Sequence, residues 1–205
     1  MCRSCAAWPS GASEGKGAAE TGDFGELNLS LEDREWPFTY VDHDRQIVRG
    51  VVWDGARFCF VRVRRDDEFG RAELIETSGG GVEAGEALTE ALRRELREEL
   101  GAEVAILGRI GLVSDYYNLI HRHNLNHYYL CRALSFGEKR LTRDERERFR
   151  LSTLRLRYGE ALREYERCSV SPLGRLIARR ELPVLRRAGE MLASAPEAGE
   201  ELLWN

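Results

Sequence analysis

The sequence predicts an α/β protein in which helices cover a mixed β-sheet. Three observations carry this: apolar strand-like runs punctuated by turn signals, an amphipathic helical stretch ending at Gly101, and helical stretches near the C-terminus. The length of 205 residues suits one domain with a core of its own.

Residues 1–23 are rich in Gly, Ala, Ser and Glu and poor in large apolar residues. A disordered tail is expected there, followed by a single domain over 24–205 that includes the C-terminal helices. Strands are expected at 38–42 and 46–53, and Asp54-Gly55 signals a hairpin turn into a partner strand from Phe58 to Val63. Arg64 to Arg71 reads as a charged loop, and Leu74-Ile75 as a short strand. Ser78-Gly79-Gly80-Gly81 reads as a flexible loop before a helix from Glu86 to Leu100, which Gly101 stops. Further strands are expected at 103–114 and 125–134, with a weaker alternation over 150–157. Helices follow at 159–167 and 173–192, the second expected to be split or restarted at Pro183.

Composition excludes several classes. Hydrophobic residues make up 42% and charged residues 32%, ordinary for a soluble protein. A net charge of −4 argues against a nucleic-acid polymer as partner, since no cation excess exists to neutralise phosphates. No apolar run approaches the roughly 18–20 residues of a membrane span, and the N-terminus lacks an apolar signal core, so a cytoplasmic location is expected. Of five cysteines, Cys59 and Cys131 lie in apolar runs and read as buried thiols. Cys2 and Cys5 form a C-x-x-C pair without a second pair at zinc spacing.

The helix over 86–100 carries acids on an unusual side. At about 100° per residue with Leu88 at 0°, Leu92, Leu96 and Leu100 fall at about 40°, 80° and 120°, the stripe to be buried. Glu95, Glu98 and Glu99 fall at about 340°, 280° and 20°, so two of the three flank or overlap that stripe. Such carboxylates are costly unless paired or bound to metal, and acids at this spacing repel one another. A hard divalent cation, Mg²⁺ or Mn²⁺, resolves both costs. The glycines upstream let backbone approach a ligand closely.

These residues spell a pattern that resembles the Nudix box. Gly80, Glu86, Arg94-Glu95, Leu96, Glu98-Glu99 and Gly101 stand at the required spacings, and Ala102 departs only in size from the larger aliphatic preferred there. The resemblance implies a Nudix-type α/β/α sandwich around a mixed β-sheet. It further implies Mg²⁺- or Mn²⁺-dependent hydrolysis of a small nucleotide-type substrate, a nucleoside diphosphate linked to another moiety. By position, Glu95, Glu98 and Glu99 with the Gly79 carbonyl would hold metal, Arg94 would orient the glutamates, and Glu86 would brace loop and helix. Gly80 and Gly101 complete the structural box. The general base is left open among Glu95, Glu98, Glu145 and Glu147. Dimers are common in the family, so a homodimer is also within expectation.

Other features bear on substrate. His121, His123 and His127 could form a zinc site, but their segment reads as a polar loop, which favours solvated or substrate-facing roles. Tyr116 and Tyr117 occupy a region where the family's tyrosines go with dinucleoside polyphosphates, and the lack of proline between Pro37 and Pro172 counts against ADP-ribose. Tyr117, His121 and His123 are thus candidate substrate contacts. Trp53 could stack on a base, although a core role fits it better. Ser78 stands where many family members have proline, which would loosen the loop. Alternative readings are a nucleoside triphosphate house-cleaning pyrophosphatase and a catalytically silent nucleotide-binding module.

Overall fold

A computed structural model describes residues 25–194, so the expected tail over 1–23, Cys2 and Cys5 lie outside the described residues. The chain forms β1 (Leu27–Leu31), β2 (His43–Trp53), β3 (Phe58–Asp67), β4 (Gly70–Glu76), β5 (Ser78–Gly81), α1 (Leu88–Leu100), β6 (Ala102–Tyr117), β7 (Arg122–Phe136), α2 (Arg143–Glu147), β8 (Ser152–Leu156), α3 (Tyr158–Cys168) and α4 (Pro172–Ala193). One sheet runs β1-β6-β7-β2-β3-β4, with β5 on β2 and β8 on β3. It is mixed: β1 with β6 and β2 with β7 are parallel, the other pairs antiparallel.

The hairpin at Asp54-Gly55 forms, but β2 and β3 stay paired only at Val52–Cys59 and Trp53–Phe58. They then splay, and the returning chain enters the wedge, β4 pairing with β3 and β5 with β2. That wedge opens the cleft described below.

Each sheet face has its own apolar core. Val48, Val52, Val61, Tyr129 and Cys131 pack under Leu92, Leu96 and Leu100 of α1. Val51, Phe60, Leu74, Ile75 and Tyr128 pack on the opposite face under α3 and α4, through Tyr165, Leu173, Ile177 and Leu185. The result is the α/β/α sandwich, with Cys59 and Cys131 buried as free thiols.

Several elements differ from expectation. Residues 38–42 form no strand: Asp42 N–H bonds to the His121 carbonyl, and the strand begins at His43. Strand β1 was not expected, although Leu27, Leu29 and Leu31 alternate as a half-buried strand should. The charged stretch 64–71 is not a loop but the tip of the β3–β4 hairpin, turning at Glu68-Phe69. Ser78–Gly81 is a strand held by β2, not a flexible loop. The polar segment 120–126 is mostly the start of β7, and a short helix, α2, was missed. Pro183 neither splits nor restarts α4, because Leu173, Ile177, Val184 and Leu185 bury one continuous face. No helix among the described residues is long and apolar enough to cross a membrane.

Candidate active site

Helix α1 brings the glutamates to strand β5. Its first turn is closed by Glu90, whose carboxylate accepts from the Ala87 N–H, and Gly101 ends it in the left-handed conformation at φ 67°. A side chain at position 101 would meet the Gly137 carbonyl. Burial follows the helical phase: Glu95 and Glu99 are 8% and 6% exposed, while Glu98 lies nearer solvent.

Glu99 is seated on β5. Its Oε2 accepts from Ser78 Oγ at 2.7 Å and from the Gly79 N–H at 2.9 Å. Ser78 therefore tightens this segment, because its hydroxyl supplies a donor that proline lacks. Burial pushes the Glu99 carboxyl up to about 8, against the pull of these two hydrogen bonds. Gly79 sits at φ 152° with its backbone against β2, where a Cβ would stand 2.0 Å from the Val48 carbonyl oxygen.

Glu95 lies on Gly80. A Cβ there would stand 2.5 Å from Glu95 Oε1, so only glycine leaves room for this carboxylate. Burial raises the Glu95 pKa, the hydrogen bond and charge of Arg94 oppose it, and Glu98 and Glu145 add repulsion.

Arg94 ties the set together. Its Nε and Nη2 donate to the two oxygens of Glu86 at 2.9 Å each, and Nη2 also reaches the Gly81 carbonyl at 3.0 Å. Nη1 donates to Glu95 at 2.7 Å and lies 3.4 Å from Glu98. The Arg94 hydrogen bond holds Glu86 below the usual carboxylate range.

The two downstream acids part company. The charge of Glu145, half-buried in α2, is felt by both Glu95 and Glu99. Glu147 is exposed and paired with Arg143.

A cavity of about 230 Å³ opens where β2 and β3 splay, lined by Gly79, Gly80, Glu99, Arg45, Arg49 and Phe149 among others. A neighbouring cavity of about 240 Å³ shares its arginines and continues to Tyr117, Arg122, Asn124 and Arg180. A larger one of about 970 Å³ lies along the β3–β4 edge and touches none of the three α1 glutamates, so size does not mark the site here.

Among the described residues, no three His, Cys, Asp or Glu side chains stand close enough as placed to enclose a cation. Arg94 lies against Glu95 and Glu98 instead. The donor set nevertheless fits a hard divalent ion. It is all oxygen, it includes two buried carboxylates with raised pKa, and it backs onto the three glycines of β5.

The remaining candidates are dispersed. Tyr117 is buried, its hydroxyl accepting from Arg180 at 2.9 Å and its ring edge-on to Phe69. His121 stacks on Tyr40 and bonds Thr39. His123 lies between Asp44 and Ser114, and His127 bonds Gln46. The three histidines thus have separate partners, and His121 and His123 line neither of the two joined cavities. Trp53 packs against the α3–α4 core.

Sequence reasoning missed a buried charge network behind the glycine strand. Arg180, 1% exposed, pairs with Glu76, Asp115 and Glu181. Glu181 also accepts from Thr77, Tyr128 and Tyr165. Arg49 donates to the Thr77 carbonyl and to Asn126. Thr77 directly precedes Ser78, so α4 anchors the strand that seats Glu99. Arg180 and Glu181, in helical phase with Leu173, Ile177, Val184 and Leu185 on the buried face of α4, were the available signal.

Comparison with known proteins bears on the whole arrangement. A sequence model described as the NUDIX domain matches residues 43–166. A 29-residue segment is 66% identical to the nucleoside triphosphatase NudI of Escherichia coli, covering 14% of this chain and 21% of that protein. A NUDIX hydrolase from Nitrosomonas europaea superposes with a TM-score of 0.53 at 16% identity, over 69% of this chain and 90% of that one. The E. coli ORF135 protein superposes with a TM-score of 0.51 at 21% identity, over 75% and 94%.

Proposed function

This chain belongs to the NUDIX family, a hydrolase fold acting on pyrophosphate bonds, and from that premise we propose that it is a Mg²⁺-dependent phosphoanhydride hydrolase of small nucleotide-type substrates. The leading class is a nucleoside diphosphate linked to another moiety. The observation that carries the reading is the seating of Glu95 and Glu99 on the glycine strand, beside a cavity that Glu99 lines.

Glu95, Glu98, Glu99 and the Gly79 carbonyl would hold Mg²⁺ or Mn²⁺, which when bound neutralises phosphoryl charge and makes a coordinated water more acidic. The chain's residues do the rest. Ser78 and the Gly79 N–H fix one Glu99 oxygen, leaving the other free. Arg94 holds Glu95 and Glu98 in register and is itself fixed by Glu86. Glu145 is our choice for the base that accepts the proton of the attacking water, since it lies in the field of Glu95 and Glu99 without an ion pair of its own. Positioning and electrostatics supply the acceleration, so no covalent intermediate forms.

The test is a Mg²⁺-dependent screen of nucleotide sugars, dinucleoside polyphosphates, ADP-ribose, coenzyme A and deoxynucleoside triphosphates, with products identified. Turnover should vanish with chelator and fall by at least about two decades in Glu98→Gln and Glu99→Gln. Near-normal turnover in both variants ends the assignment. Metal binding without turnover across the panel would mark a silent binding module. A second reading, a triphosphate pyrophosphatase, would show as pyrophosphate release and is favoured by Arg45 and Arg122, which line one cavity without ion-pair partners among the described residues.

A further inference from the structure

Two arginines behind the glutamates have no ion-pair partner among the described residues. The parallel register of β2 and β7 pairs Arg45 with Asn124 and His43 with Arg122. Arg45, Arg122 and Asn124 therefore project from adjacent positions on one sheet face, and all three line the same cavity. The other arginines there are neutralised: Arg49 by Glu76, Arg180 by Asp115 and Glu181, Arg65 by Asp67, Arg148 by Glu68. Among the described residues, Arg45 and Arg122 make neither a hydrogen bond nor an ion pair, and Arg122 Nε is fully buried without a partner.

Holding two such groups together is unfavourable in the free protein. Burial, then the charges of Arg122 and Arg49, push Arg45 below its ordinary value, with Glu95 opposing. The cost is relieved by an anion lying between the two guanidiniums. The place of that anion is set by β5. Arg45 Nη2 lies 2.9 Å from where a Cβ of Gly81 would be, and the next residue, Gly80, backs onto the Glu95 carboxylate. Glu95 and Arg45 thus flank opposite sides of β5, and the basic pair adjoins the glutamate site through the cavity that Arg45 lines with Gly79, Gly80 and Glu99.

We propose that Arg45 and Arg122 form an anion subsite for a substrate phosphate beyond the two that flank the cleaved bond, so that the chain acts on nucleotides carrying three or more phosphates. This rests on the hydrolase reading and narrows its substrate class. A terminal phosphate carries about −1.5 to −2 charges at neutral pH and an internal one about −1, so either offsets guanidinium charge that a neutral sugar leaves uncompensated. Asn124 Oδ1, buried and without a donor, would accept from a hydroxyl or amino group of the same ligand.

Two measurements on the full chain test this. First, inorganic tripolyphosphate and pyrophosphate are titrated calorimetrically in the presence of chelator. Tripolyphosphate should bind the parent at least about tenfold more tightly than it binds Arg45→Gln or Arg122→Gln, melting curves confirming that the variants fold. Second, kcat/KM is compared for a dinucleoside triphosphate and the matching dinucleoside diphosphate, whose ratio should fall at least about tenfold in each variant. Equal tripolyphosphate affinity in parent and variants, or an unchanged ratio, overturns the subsite. Chelator-insensitive binding that needs the arginines, with no turnover of any substrate, would keep the subsite and sink the hydrolase reading. Turnover without phosphate-number discrimination would do the reverse.

Discussion

Replacing Gly80 with alanine separates what the glycine strand does for the fold from what it does for the glutamates. The new methyl would stand 2.5 Å from Glu95 Oε1 and 2.6 Å from its Cδ and Oε2, where ordinary contact begins near 3.4 Å. The carboxylate must therefore withdraw by about 0.9 Å, the scale of misplacement that costs about two decades of rate, or ~2.7 kcal/mol of barrier. The displaced atoms are the far end of a flexible side chain, so the fold should lose only about 1 kcal/mol. Gly79→Ala inverts the pattern. Its methyl would meet the Val48 carbonyl at 2.0 Å at φ 152°, so backbone must move and stability should fall by about 3 kcal/mol or more. Steady-state Mg²⁺-dependent hydrolysis, read beside thermal melts of both variants, gives the two quantities. A Gly80→Ala protein that melts with the parent and turns over within about threefold of it would refute the placement of Glu95 against this strand as a requirement for chemistry.

Glu181→Ala should cost about 3–5 kcal/mol in urea denaturation, because it strips a carboxylate from buried Arg180, Thr77, Tyr128 and Tyr165; a loss under about 1 kcal/mol would mean the network is dispensable. Glu145→Gln should lower kcat by at least about tenfold, whereas Glu147→Gln, on an exposed pair with Arg143, should stay within about twofold; equal effects would discard Glu145 as base. The raised Glu99 carboxyl ties stability to pH in chelator. Its folded value of about 8 lies above the ordinary 4.5, so the folded state holds the proton more tightly. Its stabilising contribution is full below the ordinary value and is lost as pH rises through about 8, on the order of a few kcal/mol. The urea midpoint in chelator should therefore fall between pH 5 and 9 relative to a Glu99→Gln control, and identical slopes in the two proteins would show that Glu99 is not the titrating group.

The sequence showed the apolar framework and the box helix because both are written in local periodicity. Leu92, Leu96 and Leu100 mark one face, and the phase of Glu95 and Glu99 separates them from Glu98, which is the order of burial observed. Elements defined by pairing were harder to see. Ser78–Gly81 has almost no side chains to alternate, so its strand character comes wholly from β2. Residues 64–71 are charged because they form the tip of a hairpin whose outer strand ends the sheet, where charge discourages further pairing. Strand β1 did carry a signal in its alternating leucines. The helical phase of Arg180 and Glu181 marks them for burial, but their partners were out of reach of any local pattern, since Glu76 and Asp115 lie far away along the chain. So was the uncompensated state of Arg45 and Arg122, which is visible only once every other arginine in the cleft has found its acid.

The match to the family stops at residue 166, yet α4 begins at Pro172. A fragment trimmed to the matched segment would keep every glutamate of the box and discard Arg180 and Glu181 together. Glu76 would keep only Arg49, Asp115 would lose its cation, and Thr77 would lose the carboxylate its hydroxyl grips. For anyone grafting this scaffold or dissecting it, a fragment meant to keep these ion pairs must therefore run past residue 166 into α4.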